Sequence, residues 1–248
     1  MAKKEESKEV AVITVSDFAV MQPDVDIKDI IECNLGGENI SALDLERVTV
    51  PAGSSPGLWS IPTLGGMETN KELEGIIVYH ELIRNFWASE GGGTPPDCYS
   101  TDTIKGIGDP GGLCEQCQNN EFGSHRNGSG KACSTKRTMF FIQKDTMLPM
   151  VVNAPPTSLK NARSYLMSLA SHNVKAHHVV TRMTLEGDKS ANKTAFYRIE
   201  FSMADRLAPA EAAKMDAYVA AIKPFLVGKL EEAATEQPFG DEPMKQAA

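Results

Sequence analysis

Four cysteines stand at a spacing that suits one metal ion. Cys98, Cys114, Cys117 and Cys133 form the pattern C-x15-C-x2-C-x15-C. The central pair places two sulfurs close enough to grip one ion, and the outer two complete a tetrahedron. Zn²⁺ takes four thiolates readily, and a full set leaves no open position, so the implied role is structural. The stretch is glycine-rich and poor in large apolar residues. It cannot bury a core of its own, so metal binding would have to supply its folding energy. Two readings stand beside this one. The cysteines could form two disulfides, although the odd fifth cysteine, Cys33, and the charged start MAKKEESKEV, which has no secretory character, argue for a reducing compartment. A catalytic ion would need an open position. His125 could replace one cysteine, but it lies in the polar run Ser124-His125-Arg126-Asn127, which reads as a solvated loop.

Other chemistries fare poorly. Gly128-Ser129-Gly130-Lys131 is not a phosphate-binding loop, because Ala132 follows the lysine and His125 holds the first glycine position. His80-Glu81 lacks the second histidine of a zinc-protease helix, since Arg84 occupies its place. Cys33 has no evident base. His177-His178 reads as a solvated pair at the start of a strand, and His172 as a helix C-cap. The expectation is a protein that is not an enzyme.

Aromatic and cationic residues form the second candidate set. Single strands of nucleic acid are held by base stacking, at ~1–3 kcal/mol per base, and by cations along the phosphates. Tyr79, Arg84, Phe86 and Trp87 cluster in one strand-like run, with Lys136, Arg137 and Phe140 in a second. Trp59 falls in a Pro/Gly-rich stretch expected to be a loop, and Arg182 and Arg198 lie on two later strands. Phe86, Phe140 and Tyr197 are better core residues than stacking ones by type, whereas Trp59 and Trp87 suit either place equally. Arg84 could instead be one half of a surface salt bridge.

These residues need a scaffold, and the chain offers one. It has 248 residues, 41% hydrophobic, with a net charge of −8. No run of eighteen apolar residues occurs, so no membrane span is expected. Residues 98–206 hold 14 Lys/Arg against 9 Asp/Glu, a local +5, while the remainder carries −13. A basic middle between acidic flanks suits a polyanion binder, though charge alone is weak ground. Alternation predicts strands at 38–50, 74–87, 137–152, 174–186 and 193–203. Pro155-Pro156-Thr157-Ser158 opens a helix over 157–170, capped by Thr157 or Ser158. Glu186-Gly187-Asp188-Lys189 reads as a hairpin turn. Pro209 opens a last helix that Pro224 bends or ends.

Five strands with a helix between the third and fourth is the order of an OB-fold, a small partly open Greek-key barrel. The expected class is mainly β with helices: a five-stranded OB barrel over 38–206, with a zinc-binding insertion (98–133) between strands two and three. An N-terminal extension (1–37) precedes it. An appended helix (207–227) and an acidic, disordered tail (228–248) follow. A generic α+β domain is the rival.

The run PPDCYSTD, then GGLCEQC, FGS, GSGKAC and APPTSLKNARSYL, resembles phage- and mobile-element-encoded zinc-containing single-stranded DNA-binding proteins. The arrangement is also similar to the zinc-bearing OB domain of the large subunit of replication protein A, though the cysteine spacing differs. The resemblance spans about 38–203. It implies a cytoplasmic protein that coats single-stranded DNA with little sequence preference during replication, recombination or repair. It also implies Cys98, Cys114, Cys117 and Cys133 as zinc ligands, and an acidic tail that recruits replication or recombination partners; from the residues themselves, Phe239 is the one large apolar side chain of that tail and could be a docking residue. The alternative is a zinc-containing interaction or scaffold module without nucleic-acid binding. An RNA ligand is a third possibility.

Overall fold

A computed structural model describes residues 18–21, 27–36, 38, 44–89, 96–126, 128, 130–190 and 193–235. Its centre is the 15-residue strand β4 (Glu72–Phe86), numbered after β1 (Arg47–Val48), β2 (Trp59–Thr63) and β3 (Gly66–Asn70). Isoleucine, valine, tyrosine and phenylalanine fill β4 with no breaker after Gly75, and such residues fit a pleated, half-buried surface. A Cβ at Gly75 would meet the Ile142 carbonyl oxygen at 2.5 Å, so only glycine allows the neighbouring strand this close.

The cysteine-rich stretch adds three short strands, β5 (Cys98–Ser100), β6 (Lys105–Gly108) and β7 (Gly112–Leu113). Then come β8 (Ser134–Ile142), β9 (Met150–Ala154), β10 (Val179–Lys189) and β11 (Ala195–Arg206). The helices are α1 (Ile27–Leu35), α2 (Leu159–Ser171) and α3 (Pro209–Thr235). Nine strands form one sheet in the order β1-β9-β8-β4-β5-β6-β7, with β10 on β4 and β11 on β10; β2 and β3 pair separately.

This is a mixed α/β fold, mostly strands, and its sheets do not close into a barrel. β4 carries the pairing at the sheet's centre. One edge pairs with β8 along most of its length, from Ile76↔Ile142 to Asn85↔Ser134. The other edge is shared, β10 taking Glu72 to Gly75 and β5 taking Arg84 to Phe86.

Side chains from β4 enter two cores. Ile76 and Val78 pack with Phe140, Ile142 and Val151 beneath Met215, Ile222 and Leu226 of α3. Leu73 and Ile77 pack with Met139, Phe141, Met183 and Ile199 beneath Ala162 of α2. A bulge between Ile77 and Tyr79 resets the alternation. Tyr79 opposes Phe140 on the α3 side, so His80, opposite Met139, turns to the α2 side together with Leu82, Arg84 and Phe86. Simple alternation instead groups His80 with Ile76 and Val78.

Several expectations need correction. The stretch 51–70 is not a loop but carries the β2–β3 hairpin; of the strand expected over 38–50, residues 39–43 lie outside the described residues, and among the described ones β1 covers Arg47–Val48. Residues 186–189 lie inside β10, and the turn falls beyond Lys189. The last helix passes through Pro224 to Thr235, so 228–235 is helical and not tail. Residues 236–248, including Phe239, lie outside the described residues, as do residues 1–17. Phe18, within the expected extension, is 1% exposed and sits in the α3-side core.

Candidate metal centre and nucleic-acid interface

The cysteines converge because β4 has partners on both edges. Cys98 begins β5 and pairs with Phe86, while Cys133 immediately precedes β8, whose Ser134 pairs with Asn85. Two residues far apart in sequence are thereby set on either side of the end of β4. The other two come from a turn: Cys114 starts a short 3-10 segment and Cys117 ends it, with the Cys117 N–H donating to the Cys114 carbonyl at 3.4 Å. The turn is tied down by Cys114 N–H to the Ile104 carbonyl and by Cys133 N–H to the Asn119 carbonyl, both at 2.8 Å.

All four cysteines line one cavity, together with Arg84 and Phe86, and none is disulfide-bonded. The cavity measures about 10 Å³, the space of a single water-sized sphere. A Cβ at Gly106 would lie 2.8 Å from the Cys98 sulfur, so the wall there must be glycine. Burial pushes the Cys98 thiol up, although a Gly111 N–H directed at it acts the other way. Burial pushes the Cys133 thiol up to about 11, with Arg84 opposing. Thiols held neutral in this way would ionise when a cation arrives to pair with them.

Arg84 provides a second observation. Its Nε and Nη1 are buried and have no partner. Four thiolates on a divalent ion carry a net charge of two minus, which those N–H groups could take up. Donor set, one-atom cavity and orphaned cation therefore fit a single thiophilic divalent ion. The fit is not fully drawn in. Among the described residues, only His177, His178 and Asp216 bring three ligand atoms within 4.8 Å of one another, so the sulfurs must still close up.

The remaining sequence candidates separate. Trp59 is 0% exposed and donates its indole N–H to the Met183 carbonyl at 3.1 Å, so it is core, not a stacking residue on a mobile loop. Phe140 is 1% exposed and likewise core. Arg182 is neutralised by Glu74 at 2.7 Å and Glu72 at 3.1 Å, and Arg198 pairs with Asp188 at 3.3 Å. Tyr79 donates its hydroxyl to Glu81 at 3.0 Å and lies under Lys223 of α3; burial, then the Glu81 bond, pushes it up to about 12. Trp87 and Lys136 are half-buried and already engaged. Lys136 opposes Ile83, away from the α2 side.

Arg137 differs from all of these. Only 9% exposed, it contacts His80 Nδ1 through Nη1 at 2.9 Å, and its Nε has no partner. Burial pulls the guanidinium down from its ordinary value, and so does the adjacent Arg163 of α2. His80 is lowered to about 4, first by burial and then by Arg137, so it is neutral at pH 7. Arg137, which pairs across the strands with Leu82, and Arg163 thus stand together, and among the described residues neither is paired with a carboxylate. Sequence reasoning passed over Arg163, which carries no local signal on an ordinary amphipathic helix.

His172 does close α2, its backbone N–H bonding the last carbonyls. His177 and His178 are not solvated: both contact Asp216 of α3. Comparison with family models, with curated proteins and with solved structures finds no match for this chain. Among the described residues no helix is long and apolar enough to cross a membrane.

Proposed function

We propose that the protein binds single-stranded DNA along the α2-side strip of β4 and β8, beside a zinc-closed cysteine module. The observation that carries this reading is Arg137. A buried guanidinium with an unpartnered Nε and a second arginine as neighbour is costly in the free protein. That arrangement is reasonable only where an anion completes it. Phosphates supply the anion, and Phe86, at the far end of the strip, supplies a face for a base.

In this reading Cys98, Cys114, Cys117 and Cys133 hold Zn²⁺ as a closed structural site. The ion supplies folding energy to a module whose apolar side chains are mostly outside: Ile104 is 65%, Ile107 52%, Leu113 53% and Phe122 84% exposed. The element order, with α2 between β9 and β10, is that expected of an OB-related domain. The resemblance noted above adds a place in replication, recombination or repair.

The test is anisotropy of a labelled oligo-dT with zinc-loaded full chain at low and moderate salt. Binding that weakens steeply with salt supports the reading, because phosphate contacts release counterions. Absence of binding at low salt overturns it. The exposed apolar residues of the cysteine module would then favour the second reading, a zinc-containing protein-interaction module.

A further inference from the structure

A second cluster lies where α3 meets the sheet. His177 and His178 end a 3-10 turn, Ala176–His178, that leads directly into β10, and Asp216 reaches them from α3. Both imidazoles direct Nε2 at the same oxygen, Oδ1 of Asp216, at 2.8 and 3.1 Å. The rings meet edge-on with centroids 4.9 Å apart, and all three ligand atoms lie within 4.8 Å of one another. The imidazole side chains are 18% and 22% exposed and the carboxylate 41%, so the cluster is sheltered on one side and open on the other.

We infer that His177, His178 and Asp216 form a binding site for one divalent transition-metal ion, separate from the cysteine module. Two imidazoles and a carboxylate suit Zn²⁺, Co²⁺, Ni²⁺ or Cu²⁺, whereas Mg²⁺ and Ca²⁺ take all-oxygen sets. Metal–ligand bonds of about 2.0–2.2 Å place neighbouring ligand atoms roughly 3.0–3.6 Å apart. The two observed separations from Asp216 Oδ1 are already close to that. As ligands, the imidazoles would offer the Nε2 lone pair and keep their protons on Nδ1. The ion would clamp α3 to the start of β10, joining segments 38–39 residues apart.

Lys175 separates this inference from a simple hydrogen-bonded latch. Its Nζ lies 2.8 Å from the same Oδ1, on a side chain that is 59% exposed. In a latch the ammonium is a useful partner. In a metal site it is a competitor that must swing into solvent.

The experiment is a Co²⁺ titration of the full chain, followed by absorption. The expected result is two ions per chain, one with thiolate-to-cobalt charge-transfer absorption and one without. Asp216→Asn and His178→Gln should each lose only the second ion and keep the charge-transfer band, which also reports that they fold. Lys175→Gln should bind the second ion several-fold more tightly. The inference is overturned by a chain that takes no ion outside the thiolate site. It is equally overturned by an Asp216→Asn variant that keeps the second ion, or by a Lys175→Gln variant that binds it no better. A missing charge-transfer band would count against the cysteine site alone, since the second ion is still read from its weaker ligand-field absorption.

Discussion

Replacing Arg137 by methionine should move stability and binding in opposite directions. Methionine keeps an unbranched apolar stem in the space of the arginine stem and removes the charge. The guanidinium is 9% exposed, its one contact is to a neutral histidine, and its Nε has no acceptor. A buried donor left unpaired costs about 1–3 kcal/mol, and Arg163 adds repulsion. Losing the His80 contact offsets part of that, so the free variant should be more stable by about 1 kcal/mol. A charge-assisted hydrogen bond to phosphate contributes about 1.5–3 kcal/mol. Oligo-dT should therefore bind roughly 10- to 150-fold more weakly. The slope of log affinity against log salt should also become shallower by about 0.7, the value for one phosphate contact on a single strand. Urea unfolding gives the first quantity, and anisotropy over a salt series gives the other two. A variant destabilised by more than about 2 kcal/mol, with affinity and salt slope unchanged, would show that Arg137 holds the fold and not an anion.

Three further outcomes follow from the same geometry. His80 stays neutral down to about pH 4, whereas in an unfolded chain it gains its proton near 6.5, so its contribution is fully present above 6.5 and lost as the pH falls towards 4. The loss should reach roughly 3 kcal/mol, and subtracting the urea-melt profile of His80→Gln from that of the wild type should isolate it. Cys133→Ser, or chelation, should expose the amides of β5 to β7 to hydrogen exchange while β8 to β11 stay protected; unchanged protection would mean that the thiols hold no structural ion. Trp59 is fully enclosed, so any quenching by oligo-dT should vanish in Trp87→Phe and persist in Trp59→Phe, whereas Trp59→Ala should cost about 3–5 kcal/mol in stability.

What could be read from the chain was what local chemistry decides. β4 announces itself by an unbroken run of β-branched and aromatic residues, and α2 by the proline-led turn before its apolar stripe. The four cysteines stand out by spacing, and the fold brings all four to one cavity. What failed depended on neighbours. Proline and glycine in 51–70 hid a hairpin because Gly65 and Gly66 lie at its turn and Pro62 in its short first strand. Trp59 could be placed neither in nor out until the face of that hairpin was known. Gly187 lies within β10 and pairs with Tyr197, so the residue that resembles part of a turn continues the strand. Residues 228–235 carry alanine and glutamate, good helix formers, and continue α3 although their charge suggested a tail. Arg182 and Arg137 look alike in sequence. Glu72 and Glu74 on the adjacent strand quench the first, and among the described residues no carboxylate pairs with the second.

The two halves of the candidate site meet at Arg84, and its position divides the labour between them. Cys98 pairs with one edge of β4 and Cys133 immediately precedes the strand on the other edge, so closing an ion between them would also lock the last residues of that strand. Arg84 faces the thiols with two unpartnered N–H groups, while Arg137 sits one strand over beside Arg163. In the proposed reading, a tetrathiolate ion would draw the first guanidinium and leave the second pair for phosphates. Arg84→Met should then speed loss of the ion to a chelator and loosen β5 to β7, with only a small change in DNA affinity per metal-loaded molecule. Arg137→Met should leave metal retention untouched. If Arg84→Met instead weakened DNA binding as much as Arg137→Met while holding its ion equally well, the boundary between the two halves would be misplaced, and Arg84 would belong to the binding face.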